Sequence, residues 1–183
     1  MFIQTEQTPN PSTLKFLPGR VVMEKGTLDF ATADTAQSSP LAKRLFAVEG
    51  VERVFFGADF VTVTKTADKD WQMLKPSILG GIMEHYTSGE PVVAGEAAAA
   101  TDAGAEDDEV VAQIKDLLET RVRPAVAQDG GDIIFQDFRD GVVYLHMQGS
   151  CSGCPSSTAT LKMGIENLLK HYVPEVVEVQ AAQ

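Results

Sequence analysis

Apolar positions fall into two sets of short periodic segments separated by an acidic stretch, and each set predicts a small mixed α and β unit. In the first, residues 2–6 and 13–17 read as strands on either side of Pro9-Asn10-Pro11-Ser12, and Pro18-Gly19 closes the second strand. Ser39-Pro40 then starts a helix with Leu41, Leu45, Phe46 and Val48 largely on one side and Gly50 as its stop. A hairpin follows, with residues 51–56 and 60–64 flanking Gly57-Ala58-Asp59. Leu74, Ile78 and Ile82 recur at i, i+4 and i+8 and predict a last helix over residues 70–86, which Pro76 and Gly80-Gly81 should kink or shorten.

The second set opens with Val110, Ile114, Leu117 and Leu118 at helical spacing behind a run of carboxylates that suits a helix N-terminus. Pro124 should bend this helix, and Asp129-Gly130-Gly131 should end it before Asp132 leads into a strand. Residues 133–139 and 142–148 flank Asp140-Gly141, a dipeptide suited to a two-residue hairpin turn. A further helix is expected from Pro155 to about His171 on a stripe of Leu161, Ile165, Leu168 and Leu169, followed by an edge strand over residues 176–180. The order is α-β-β-α-β, a three-stranded sheet covered on one face by two helices.

Between the sets, residues 88–109 read SGEPVVAGEAAAATDAGAEDDE, with seven carboxylates, and no Lys or Arg occurs between Lys75 and Lys115. Such a segment repels itself and buries little, which predicts a flexible acidic linker. The fold class is therefore α+β, as two small domains: residues 1–87, a linker over 88–109, and residues 110–183. An exposed Ala-rich helix over residues 95–105 is the competing reading of the linker.

Composition narrows the function. The 183 residues carry a formal charge of −11, which argues against nucleic acid as a partner. No apolar run approaches the roughly 20 residues of a membrane helix. The N-terminus MFIQTEQTPNPS has neither a basic segment followed by an apolar stretch nor an Arg-rich character, so a cytoplasmic bacterial protein is expected, with a processed mitochondrial matrix form looking similar. Cys151 and Cys154 are the two cysteines, too few for a disulfide framework.

Those two thiols lie in QGSCSGCPSS, Gln148 to Ser157, between the hairpin and the last helix. The helix dipole, the N-terminal amides and the flanking glycines should favour thiolate and expose both sulfurs. Three chemistries follow: a dithiol–disulfide pair, half a zinc site, or half an iron-sulfur site. Zinc and the common clusters want four protein ligands, so a second chain would complete the set, and a two-fold axis through the loop would bring Cys151 and Cys154 of both chains together. The histidines do not complete it. Strand parity puts His146 opposite the apolar Val143, Leu145 and Met147; His171 sits at the far end of the last helix, at about 1.5 Å of rise per residue; His85 belongs to the other unit. Each is expected to be solvated or locally hydrogen-bonded.

The C-terminal unit resembles the NifU C-terminal (Nfu) domain through RPAVAQDGGDI, Arg123 to Ile133, and GSCSGCPSS, Gly149 to Ser157. The N-terminal unit resembles the Nfu N-terminal domain through TPNPSTLKFLPG, Thr8 to Gly19, through Ser39 to Lys65, and through the helix from Trp71 to Tyr86. The resemblance implies a carrier rather than an enzyme: a scaffold that receives an iron-sulfur cluster, 4Fe-4S more than 2Fe-2S, between two chains of a homodimer. It takes the cluster from an upstream donor and passes it to apo client proteins. Cys151 and Cys154 match the ligating cysteines. Asp129 to Asp132 match a signature with no ligand role, read here as helix stop and strand entry, and TPNPST reads as a constrained turn. A CxxC thiol-disulfide oxidoreductase is the alternative.

Overall fold

The structure, a computed structural model, describes residues 1–94, 108–152 and 155–182. The chain divides into two compact units, Met1–Ala100 and Thr101–Gln183.

In the N-terminal unit the strands are β1 (Gln4–Gln7), β2 (Thr13–Leu17), β3 (Leu28–Phe30), β4 (Val51–Phe56) and β5 (Val61–Lys65). They pair antiparallel in the order β1-β2-β5-β4-β3. Helices α1 (Pro40–Phe46) and α2 (Trp71–Ser88) pack Leu41, Leu45, Leu74, Ile78 and Ile82 against Phe16, Val54, Phe56, Val61 and Val63 of the sheet. The Pro9–Ser12 turn is tied from within and from α2: Ser12 N donates to Asn10 Oδ1 at 3.0 Å, and Trp71 Nε1 donates to the Pro11 carbonyl at 3.1 Å.

Two details depart from expectation. Strand β3 is new, a three-residue edge whose Phe30 is buried against Phe56. Helix α2 is not shortened: it runs 18 residues through Pro76, Gly80 and Gly81. A proline in a second turn loses one backbone hydrogen bond, and here the burial of Leu74, Ile78 and Ile82 on one stripe outweighs that loss. Asp70 caps the start by accepting from Gln72 N, and Gly89 ends the helix at φ +74°.

The chain just beyond α2 stays on the N-terminal unit. Arg44 pairs with Glu90, Ser39 Oγ donates to the Val92 carbonyl, and Ala94 N donates to Ser38 O at 2.7 Å. Residues 95–107, the greater part of the stretch read as a linker and the whole of its competing helix, lie outside the described residues.

The C-terminal unit has the expected order. Helix α3 (Glu109–Leu117) runs through a π-helical turn, Leu118–Val122, into α4 (Arg123–Gln128). Pro124 accounts for the widened turn, because its ring has no N–H and clashes with the carbonyl four residues back. Gly130, at φ +79°, ends α4 and releases the chain into β6 (Gly131–Arg139). Asp140 and Gly141 both take positive φ, 51° and 79°, and make the tight turn to β7 (Val142–Gly149). Helix α5 (Pro155–Tyr172) crosses back, so that β8 (Glu178–Ala181) lies parallel to β7 at the sheet edge. Ile114, Leu118, Val122 and Val126 pack with Ile165 and Leu169 against Ile133, Val143, Leu145 and Val179. No helix among the described residues is long and apolar enough to cross a membrane.

Candidate thiol site

The end of β7, the start of β6 and the turn after α4 meet around Cys151. Gly131 pairs with Gly149 in the hairpin register, so the glycines of the α4–β6 turn stand beside the cysteine loop. Ser150 N donates to Gly130 O at 3.2 Å and the Ser150 hydroxyl donates to Asp129 O. On the other side, Thr158 Oγ1 donates to the Cys151 carbonyl at 3.0 Å, tying the loop to the first turns of α5. The main chain on both sides of the thiol is therefore held.

The sulfur itself points inward. Cys151 is 6% exposed and belongs to the apolar core of its unit. A Cβ built on Gly131 would stand 2.5 Å from Cys151 Sγ and 2.9 Å from the Gln148 carbonyl oxygen, so the sulfur occupies the space a side chain would need. Burial pushes the thiol up to about 12, and the Asp129 and Asp132 carboxylates add to the rise. The Ser150 hydroxyl pulls the other way, but its single proton is already committed to the Asp129 carbonyl.

This corrects the expectation of an exposed thiolate at Cys151. Loop residues rich in Gly and Ser are usually solvated; here the absent side chain of Gly131 opens a berth that the loop composition does not reveal. Cys154 and Gly153 lie outside the described residues.

Asp132 is the second charged feature of the site. Its carboxylate, 4% exposed, takes two hydrogen bonds from Arg123, Nε to Oδ1 and Nη2 to Oδ2, both at 2.8 Å, and a third from its neighbour Ile133 N at 2.8 Å. Arg123 also reaches Glu119 at 2.6 Å, and these acidic partners raise its already high pKa further. The pair clamps α4 to the first residue pairs of β6. The Asp129 to Asp132 run is thus a helix stop and strand entry, as read from the sequence, and in addition a wall of the thiol site. Its role as a wall was missed because the contact spans 20 residues and leaves no periodic trace.

His146 is half-buried, opposite the buried Val143, Leu145 and Met147 as parity required, and His171 is exposed beside Tyr172. His85 needs correction: instead of being solvated or hydrogen-bonded, it is fully buried, and neither ring nitrogen has a partner. It stands three residues after Ile82 on the inward stripe of α2, and burial holds its pKa below the usual histidine value. Among the described residues, no three His, Cys, Asp or Glu side chains gather as a metal site.

Comparison with known proteins follows the same division. The family described as "Scaffold protein Nfu/NifU N terminal" matches residues 3–89, and the "NifU-like domain" matches residues 114–180. The human protein named "NFU1 iron-sulfur cluster scaffold homolog, mitochondrial" is 55% identical over 98% of this chain and 71% of its own length. "NifU-like protein 4, mitochondrial" from Arabidopsis thaliana is 57% identical over 98% of this chain and 65% of its own length. The solution structure of a NifU-like protein from Saccharomyces cerevisiae is 28% identical and covers 52% of this chain and 87% of that one, with a TM-score of 0.48.

Proposed function

The chain belongs to the Nfu family of NifU-like scaffold proteins, and from that premise we propose that it carries an iron-sulfur cluster as cargo, held between two copies by Cys151 and Cys154 of each. The observation that carries this reading is the donor set: two cysteines three positions apart, between β7 and α5, in a chain with no others. Thiolates suit iron and sulfide chemistry, and four of them make a full set for 4Fe-4S or 2Fe-2S, with 4Fe-4S favoured by the family resemblance. The fit is one of donor type and number; Cys151 Sγ has to leave its berth before it can serve a shared site.

The cargo is received from a donor protein and delivered to apo clients by ligand exchange, with client thiolates replacing Cys151 and Cys154 in turn. No covalent turnover of substrate is involved. A labile, accessible site serves that purpose better than a sealed one. The N-terminal unit serves as a client-docking arm and raises the local concentration of a client at the cluster. The mitochondrial names of the human and plant relatives support a mitochondrial location for this chain and lend none to the cytoplasmic expectation.

The test is transfer. Cluster-loaded protein is mixed anaerobically with an apo-acceptor whose own site has four cysteines, and acceptor activity is followed with and without a chelator that captures free iron. Transfer that survives the chelator supports the carrier reading, and removal of residues 1–90 should slow it. A loaded protein that yields its iron only to the chelator contradicts the reading.

A further inference from the structure

Gly131 lines the thiol site, and the sulfur it admits is buried in the core of its unit. A Cβ on Gly131 would meet Cys151 Sγ at 2.5 Å, Gln148 O at 2.9 Å and Cys151 N at 3.2 Å, while Gly131 itself needs no positive φ. Backbone conformation therefore does not explain a glycine here; close approach does. The flanking main chain is tied by Ser150 to the Gly130 and Asp129 carbonyls and by Thr158 to the Cys151 carbonyl. What remains free to move is the cysteine side chain, by rotation about χ1.

We propose that Gly131 is a positioning residue for Cys151: the space left by its missing side chain is a seat in which the metal-free chain stows the sulfur, and cargo uptake draws the sulfur off that seat. The stowed state keeps a reactive thiol from oxidants and stray metals while the chain is empty. The seat stands on geometry alone, and its link to uptake rests on the carrier reading.

The full-length, reduced, metal-free protein is treated with excess N-ethylmaleimide under anaerobic conditions, and modification of Cys151 is followed by peptide mass spectrometry. Withdrawing a buried cysteine side chain into water should make Cys151 react roughly ten- to thirtyfold more slowly than in the urea-unfolded chain. Gly131→Ala evicts the sulfur and should raise the Cys151 rate by about tenfold, at a cost in stability. If that variant folds poorly, the Cys151→Ala background decides: with the sulfur gone, adding Gly131→Ala should cost less than it does beside Cys151.

Cys151 reacting at the unfolded-chain rate, or equal costs of Gly131→Ala in both backgrounds, overturns the seat. Cluster uptake by Gly131→Ala no faster than by the unaltered chain, with the alkylation pattern as expected, overturns the link to uptake. No uptake by the unaltered chain, with the same alkylation pattern, overturns the carrier reading and leaves the seat standing.

Discussion

Replacing Arg123 by Ala should cost the C-terminal unit more than replacing its partner Asp132, although the same two hydrogen bonds are lost in both. The asymmetry comes from burial: the Asp132 side chain is 4% exposed and the Arg123 side chain 28% exposed. Arg123→Ala leaves a carboxylate inside the unit that keeps the Ile133 N–H but loses both guanidinium donors, and stranding one member of a buried pair costs roughly 3–5 kcal/mol. The remaining donor puts the expected value near the lower end, about 3 kcal/mol. Asp132→Ala leaves a guanidinium that still has Glu119 and water, so its cost is the stranded Ile133 N–H and the lost pair, about 2 kcal/mol. For a unit of this size, 1 kcal/mol moves the melting temperature by roughly 4–8 °C. Arg123→Ala should therefore lower the C-terminal melting transition by at least about 12 °C, measured by circular dichroism on the full chain. Trp71, the single tryptophan, lies in the N-terminal unit, and its fluorescence transition should stay in place. The double variant should cost less than the sum of the two. Asp132→Ala proving the more damaging by over about 1 kcal/mol, or a Trp71 transition that shifts equally, would refute the reasoning.

Other expectations are simpler. His85 faces Arg44 and Glu90, is buried without a partner and has a lowered pKa, so the unfolded chain binds a proton the folded one refuses. The N-terminal unit should hold its full stability above about pH 6.5 and lose it as pH falls below, by up to about 1.4 kcal/mol per pH unit; urea midpoints of Trp71 fluorescence that fall in parallel for His85→Phe would contradict this. Ser39→Ala removes the acceptor for Ala42 N and the donor to Val92 O, both on a buried residue, and should cost about 1–2 kcal/mol in the same assay. Gly80→Ala adds a Cβ that meets nothing within 4 Å and should stabilise α2 by about 0.5–1 kcal/mol; a loss of stability would show that the helix face is not free.

What could be read from the sequence was the local and the periodic. Asp140-Gly141 announced its hairpin because the dipeptide tolerates the positive φ that both positions take in this two-residue turn. The stripe of Ile114, Leu117 and Leu118 announced α3 in the same way. Strand β3 was invisible, since three residues cannot show a period and Val54, which pairs with Phe30, lies 24 positions away. Pro76 misled as to the length of α2 because a local rule was set against the packing of a whole helix face. His85 lay on that same face, and its place three residues after Ile82 was a sufficient sign of burial. At the thiol site, composition pointed to the loop but not to the inward turn of the Cys151 sulfur, which depends on an atom that Gly131 lacks.

The cargo claim meets its most direct test in stoichiometry. Reduced protein is reconstituted anaerobically with iron and sulfide, and iron, sulfide and zinc per chain are measured together with oligomeric mass, beside a Cys151→Ser, Cys154→Ser double variant. The expected result is about two iron and two sulfide per chain in a dimer, absent from the variant, as one 4Fe-4S cluster shared by four cysteines requires. A monomer that binds no iron and whose thiols cycle reversibly to a disulfide, or a colourless dimer that holds zinc instead, would contradict it.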